Sequence, residues 1–348
     1  MHTMDDVTAA LAALPEVFTT QTAMAAGISH HILRRLVRHR SIIRFQSGVY
    51  GQPHADEPEA ERWARIHREH AVRARAALQA HPDHALSHRS GALVFGWPVS
   101  LHPDEPVHLT ALHVEPRSRR VDGKVLHHSD SIINDVVEMD GLRLLTPGRT
   151  VADCLRTMTP ANSVAVADGA LRQGATELVS VKSSLDSMRR WRGRPKANAA
   201  LRLVDPRRET WLESFSFVAL HGLGIDLPTP QVEVFDEWGR FVGRVDGMWI
   251  AEGTVAEADG QGKYLLGTPD GGGASGKDAA RRVVAEKCRE DDLRDLGLEM
   301  VRWGVGEIRC SPEIVARRVD AARVRGDIRR FRGRLRVDGQ WLIPSEHR

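Results

Sequence analysis

The chain has 348 residues, of which 41% are hydrophobic and 27% charged, with a formal net charge of +3. This composition excludes disordered and fibrous classes and leaves room for several domains with cores of their own. The weak basic balance admits an acidic partner such as DNA without requiring one.

Other whole-chain features narrow the setting. No apolar run approaches the roughly 20 residues needed to span a bilayer, so no membrane association is expected. Met1 to Leu14 carries Asp5 and Asp6 where a secretory signal would carry basic residues. Cys154, Cys288 and Cys310 are scattered and odd in number, which predicts a reducing, cytoplasmic setting.

Residues 1–53 read as a small DNA-binding module. "MDDVTAALAALP" predicts a short helix. "FTTQTAMAAGIS" predicts a second helix, capped by Thr19 or Thr20 and stopped at Gly27. Ser29 then caps "HHILRRLVRHR", where Ile32, Leu33, Leu36 and Val37 form the inward face and Arg34, Arg35, Arg38 and Arg40 point out. "IIRF" and "GVYG" follow as two short strands. This order predicts a winged helix-turn-helix whose second helix enters the major groove while the wing touches the backbone; the other reading is a solvated basic helix inside a small structural domain. His31, Arg34, Arg35, Arg38, Arg40 and Arg44 are the candidate DNA contacts.

Residues 54–58, "HADEP", read as a linker. Residues 59–178 read as an α+β middle region: a long mixed-charge helix, then "ALSHRSGALVFGW" as another helix, then strands at "PVHLTAL", "GKVLHHS" and "LRLLTP". "TPGRTVADCLRTM" and "PANSVAVADGALRQG" return to helices. Residues 179–205 form a helical connector rich in arginine and lysine (Arg189, Arg190, Arg192, Arg194 and Lys196), either a solvated face or a stripe that strengthens non-specific DNA binding. Residues 311–348 read as a basic helical tail.

Residues 206–310 carry the patterns closest to chemistry. "RRETWLESFSFVALHGLG" predicts a helix with Glu213 near its start. "PQVEVFDEWGRFVGRVDGMWI" predicts a hairpin with Asp246 on its second strand. "GTVAEADG" is a third strand that ends at Glu257 and Asp259, two positions apart and so on one face. A helix and a strand, "EMVRWGV", complete the order helix, three strands, helix, strand. Acids on the helix and on two adjacent strands suit a Mg²⁺ or Mn²⁺ site, because such a cation takes one or two carboxylates together with waters and phosphate oxygens. Asp246, Glu257 and Asp259 are the candidate ligands, and Glu213 and Lys263 complete the candidate catalytic set. The other reading of "EADGQGKY" is a solvated β-turn.

Several further motifs read as structural. "GGGASGKD" has the glycine and lysine spacing of a phosphate loop, yet Asp278 stands where a hydroxyl residue should hold Mg²⁺, so a glycine-rich excursion is expected. His30-His31 and His127-His128 read as surface or helix-face residues, and Trp211, Trp249 and Trp303 as core.

Two resemblances rest on these stretches. "FTTQTAMAAGISHHILRRLVRHRSIIRFQSGVYG", "ALSHRSGALVFGW" and "LLTPGRTVADCLR" resemble the AbiEi-type antitoxins of type IV toxin–antitoxin systems. That resemblance implies a transcription-regulator-like module, with a winged helix that binds promoter DNA and a further domain that supports repression or antitoxicity; a toxin protein is the candidate partner. "LES", "GRVDGMW", "VAEADGQGKY", "AEKCREDDLRDLG" and "EMVRWGV" resemble the DUF559 domain of the PD-(D/E)XK nuclease-like superfamily, related to very-short-patch-repair endonucleases. This second resemblance implies a restriction-endonuclease-like core, with Asp246 at the strand aspartate and Glu257 at the following acid. The superfamily pattern has a lysine two places after that acid, where this chain has Asp259; Lys263 or Lys287 would have to serve instead.

The fold expectation is therefore an α+β multidomain protein. Two functional readings stand: a Mg²⁺-dependent DNA endonuclease, or a non-enzymatic antitoxin-like repressor whose nuclease-like domain is degenerate.

Overall fold

The computed structural model describes residues 4–15, 17–53, 59–114, 117–128, 135–188, 190–259 and 287–342, with residues 4–6, 46 and 59–61 described by their backbone alone. The protein is mixed α+β, with one sheet of three strands and two of six. Among the described residues no helix is long and apolar enough to cross a membrane. The chain divides into two compact units: Met1–Thr157 with Thr176–Arg189, and Met158–Ala175 with Arg190–Arg348. The linker stretch 54–58, Lys263 and the "GGGASGKD" motif lie outside the described residues.

Unit 1 opens with α1 (Met4–Ala12), β1 (Val17–Thr19), α2 (Thr20–Ala25), α3 (His30–Arg38), β2 (Ile43–Gln46) and β3 (Val49–Gly51). Thr19 Oγ1 caps α2 by accepting from Thr22 N at 3.1 Å, and Ser29 Oγ caps α3 by accepting from Ile32 N at 3.4 Å. Gly27 between them lies at φ +82, a left-handed turn that glycine adopts without steric cost. Phe18, Ala23, Ile28, Leu33, Leu36, Ile42 and Tyr50 form the core beneath these elements. The sequence reading has two strands here; the structure has three, in the order β1-β3-β2. Strand β1 is only three residues long and pairs with β3 some thirty positions later, so no local periodicity announces it.

The rest of unit 1 comprises α4 (Glu59–Ala80), β4 (His84–Leu86), α5 (His88–Val94), β5 (Val107–Ala111), β6 (Arg119–Val121), β7 (Lys124–His127), β8 (Val136–Met139), β9 (Leu142–Leu145), α6 (Pro147–Thr157) and α8 (Leu178–Ser187). The six strands run in the order β6-β7-β5-β4-β9-β8. "ALSHRSGALVFGW" is not one helix: Ala85 and Leu86 are fully buried and pair antiparallel with Thr110 and Leu109. His88 follows at φ +51, in the left-handed region, where the chain turns from β4 into α5. A two-residue alternation embedded in a small-residue helical pattern is too short to register locally.

Unit 2 contains α7 (Pro160–Arg172), α9 (Arg194–Leu201), α10 (Trp211–His221), β10 (Thr229–Asp236), β11 (Phe241–Trp249) and β12 (Thr254–Asp259). After a stretch outside the described residues come a helix over 287–295, α11, and then β13 (Glu299–Gly304), α12 (Val305–Cys310), α13 (Pro312–Arg325), β14 (Gly333–Val337) and β15 (Gln340–Leu342). The sheet order is β13-β12-β11-β10-β14-β15. Strands β12 and β13 are parallel, and the other neighbours antiparallel. A parallel neighbour requires a crossover connection, and α11 lies within it.

Helix α7, read from sequence with the middle region, is counted in unit 2. Asp168 on α7 explains the attachment: its carboxylate accepts from Arg208 Nη1 at 3.1 Å, Ser214 Oγ at 2.7 Å and Asp205 N at 2.7 Å, with Asp168, Arg208 and Ser214 all buried. The expected helical tail over 311–348 is helical through α13, but β14 and β15 then extend the sheet beyond β10. Leu335 on β14 is fully buried in the same core as Val232, Val234 and Val245, which draws an arginine-rich segment into a strand.

Candidate nucleic-acid interface and carboxylate site

Helix α3 separates its residues cleanly. Leu33 and Leu36 are buried, whereas His31, Arg34, Arg35, Arg38 and the following Arg40 are exposed. Arg44 on β2 is exposed as well, on the hairpin that follows the helix. The predicted contact residues thus occupy the solvent side of one helix and its adjoining hairpin. Their stems leave the apolar core while their guanidinium groups add like charge to one surface, an arrangement that attracts a polyanion.

The carboxylate site is set by the register of unit 2. Gly247 on β11 pairs with Ala256 on β12, which brings Asp246, one step along, opposite Glu257. Asp246 Oδ2 accepts from Ala258 N at 2.8 Å, fixing that side chain against the neighbouring strand. Glu257 is 7% exposed, and its Oε2 accepts from Arg289 Nη2 on α11 at 3.1 Å. Arg302 is the Cα partner of Glu257 on β13, and its Nη1 lies 3.8 Å from Asp259 Oδ2. Asp246 and Glu257 therefore sit together, with cationic side chains beside Glu257 and Asp259.

Glu213 is buried near the start of α10, where Thr210 caps the helix. Glu213 accepts from Glu209 N at 3.0 Å, Thr210 Oγ1 at 2.9 Å and Gln231 Nε2 at 2.8 Å. This is a reciprocal helix cap extended to a strand. Burial pushes its carboxyl above the usual glutamate range, against the pull of those hydrogen bonds. Its lone pairs are engaged at the helix start, and Phe217 one turn on packs toward Gly247, on the sheet face opposite α11. The structure thus joins Asp246 with Glu257 and gives Glu213 a capping position. Among the described residues, acidic side chains nowhere converge three ligand atoms on one point.

A cluster that does converge lies in unit 1. His88, His108 and His127 each bring a ring nitrogen within 4.8 Å of the others. His127 is thereby corrected: it lies half-buried on strand β7, neither on the surface nor on a helix. The three histidines are 20 and 19 positions apart and belong to α5, β5 and β7, so no spacing rule could have joined them. Trp249 and Trp303 are buried in the core of unit 2, and Trp211 packs partly buried beside it.

No protein-family model matches this chain, and no curated protein matches it.

Proposed function

We propose that the protein binds DNA through α3 and the β2–β3 hairpin, and that unit 2 is a divalent-metal-dependent, endonuclease-like domain of restriction-endonuclease type. The observation that carries this reading is that Asp246 and Glu257 lie one step beyond the Gly247–Ala256 pair of adjacent strands, within the order α10, β10, β11, β12, α11, β13. Two neighbouring carboxylates meet the protein share of a Mg²⁺ or Mn²⁺ site, since such a cation takes its remaining ligands from water and phosphate. Asp246 and Glu257 would hold the cation, which when bound supplies an activated water and charge relief on the phosphate. Around them the chain supplies fixed geometry. Ala258 N orients Asp246, and Arg289 balances the Glu257 charge from a position suited to a phosphate oxygen. In this reading α3 grips the duplex through Arg34, Arg35, Arg38, Arg40 and Arg44, and Lys263 is the candidate for polarising the water.

The Arg289–Glu257 ion pair also favours a second reading, in which the domain is non-enzymatic and serves an antitoxin-like repressor with a toxin protein as partner. The guanidinium engages one oxygen of Glu257 that a cation would otherwise use, which suits a nuclease-like fold kept for binding alone. The deciding experiment incubates supercoiled plasmid and single-stranded DNA with the protein in Mg²⁺, Mn²⁺ or EDTA, alongside Asp246→Asn. Metal-dependent cutting that disappears in the variant supports the endonuclease. Intact DNA with a well-folded, DNA-binding wild type supports the repressor.

A further inference from the structure

We propose that His88, His108 and His127 form a binding site for a transition-metal cation of the Zn²⁺ type in unit 1, separate in place and ligand chemistry from the carboxylate pair of unit 2. The three rings come from α5, β5 and β7, and their ligand nitrogens already lie within 4.8 Å of one another. His108 Nδ1 stands 2.9 Å from His127 Nε2, and the His88 ring stacks on His127 with centroids 3.7 Å apart.

Each ring has a nitrogen to give. His88 Nδ1 is 2.9 Å from Ser87 Oγ, while its Nε2 is buried and has no hydrogen-bond partner. The side chain of His88 is only 2% exposed, so that nitrogen has no access to bulk water. His108 turns Nε2 toward Glu105 Oε1 at 3.5 Å and Nδ1 toward the cluster. A carboxylate behind a metal-binding imidazole is the usual outer partner, since it sets the tautomer and raises ligand basicity. Asp153 Oδ1 stands 3.9 Å from His88 Nε2, held back by Arg149 and Arg156 at 3.2 and 3.0 Å, and so belongs to the outer ring of charge.

Binding would replace the His108–His127 hydrogen bond with two metal–nitrogen bonds, the proton of that bond moving to the other nitrogen of its own ring so that both rings ligate as neutral imidazoles. A tetrahedral site with bonds near 2.0–2.1 Å separates its ligands by about 3.4 Å, so His108 and His127 move apart by a few tenths of an ångström and the His88 ring tilts off its stack. The surrounding charges are paired: Arg149 with Asp135 and Asp153, Arg156 with Asp153, and Arg89 with Glu105. Three neutral nitrogens add no charge of their own, and imidazole donors select Zn²⁺, Cu²⁺, Ni²⁺ or Fe²⁺ over Mg²⁺ and Ca²⁺, which take oxygen. Three protein ligands leave a fourth position for water or another small ligand.

The test uses the full chain, stripped with a chelator and titrated with Zn²⁺ against a chromophoric competitor, and with Co²⁺ followed by its visible d–d bands. One tight equivalent of Zn²⁺, bound ahead of any at the carboxylate pair, and at that first equivalent the spectrum of a tetrahedral, nitrogen-ligated Co²⁺ are expected. His127→Gln and His108→Asn weaken that first equivalent at least tenfold, whereas a large excess of Mg²⁺, which takes oxygen ligands, leaves it unchanged. Zinc-edge X-ray absorption on the loaded wild type needs no variant and is expected to count three imidazoles. Failure to bind, binding unaltered in folded histidine variants, or fewer than three imidazoles at the zinc would overturn the site.

Discussion

Arg289 donates to Glu257 Oε2 at 3.1 Å across 32 positions of chain, and its other guanidinium nitrogen donates to Arg244 O at 3.2 Å. The helix over 287–295 therefore ties β11 and β12 together at the place where Asp246 and Glu257 meet. A cation entering that place competes with the guanidinium for one carboxylate oxygen.

Arg289→Ala is expected to tighten Mn²⁺ binding to the metal-stripped protein about three- to fivefold, the release of a partly exposed ion pair worth up to about 1 kcal/mol. Calorimetric titration in a Glu257→Gln background should remove the gain. An unchanged affinity in the single variant would show that Glu257 does not ligate the cation.

Gly247, next to Asp246, lies where a Cβ would come within 2.8 Å of Phe217 Cζ and 2.9 Å of Pro228 Cγ. Here the absence of a side chain lets β11 approach α10. Gly247→Ala is expected to destabilise the protein by about 1–3 kcal/mol through overpacking. Urea unfolding checks this, and a loss below a few tenths of a kcal/mol would mean the contact yields freely.

On the DNA-binding surface, Arg34 and Arg38 are exposed on α3 beside buried Leu33 and Leu36. If each meets a phosphate, Arg34→Ala and Arg38→Ala each lower the slope of log K against log salt by about 1. Binding measured by fluorescence anisotropy at several salt concentrations reads the slope directly. Equal slopes for variants and wild type would place the duplex elsewhere.

Acid should destabilise unit 1. His70 is fully buried, with Nε2 2.8 Å from Ser90 Oγ, and burial followed by the nearby Arg73 holds its pKa well below the ordinary 6.5. Burial lowers His67 in the same sense. His70 stays neutral in the folded chain but protonates near 6.5 when unfolded, so its stability contribution is present above that pH and is lost as pH falls below it, and His67 contributes in the same direction. Each fully buried histidine contributes a slope of up to about 1.4 kcal/mol per pH unit in that window. Denaturation of metal-free protein from pH 7.5 to 5 should show the decline, shallower in His70→Gln; a flat profile would contradict the buried neutral state.

Local pattern alone made much of this protein legible. The alternation of Leu33 and Leu36 with Arg34, Arg35 and Arg38 follows the 3.6-residue helical period, and the structure buries and exposes those residues as the period requires. The β10–β11 turn is similarly local, with Asp236 Oδ1 accepting from Trp238 N and Arg240 N. The order α10, β10, β11, β12, α11, β13 follows from such signals.

What the tertiary structure alone decided is pairing at long range. Strand β1 finds β3, Leu335 draws the basic tail into the large sheet, and Glu213 turns to its own helix start. His88, His108 and His127 meet because β5 and β7 are parallel neighbours and α5 packs against β5. Periodicity records which face of an element loses water, since burial acts residue by residue; which elements then share that burial depends on register and crossover, and no local run of side chains encodes either.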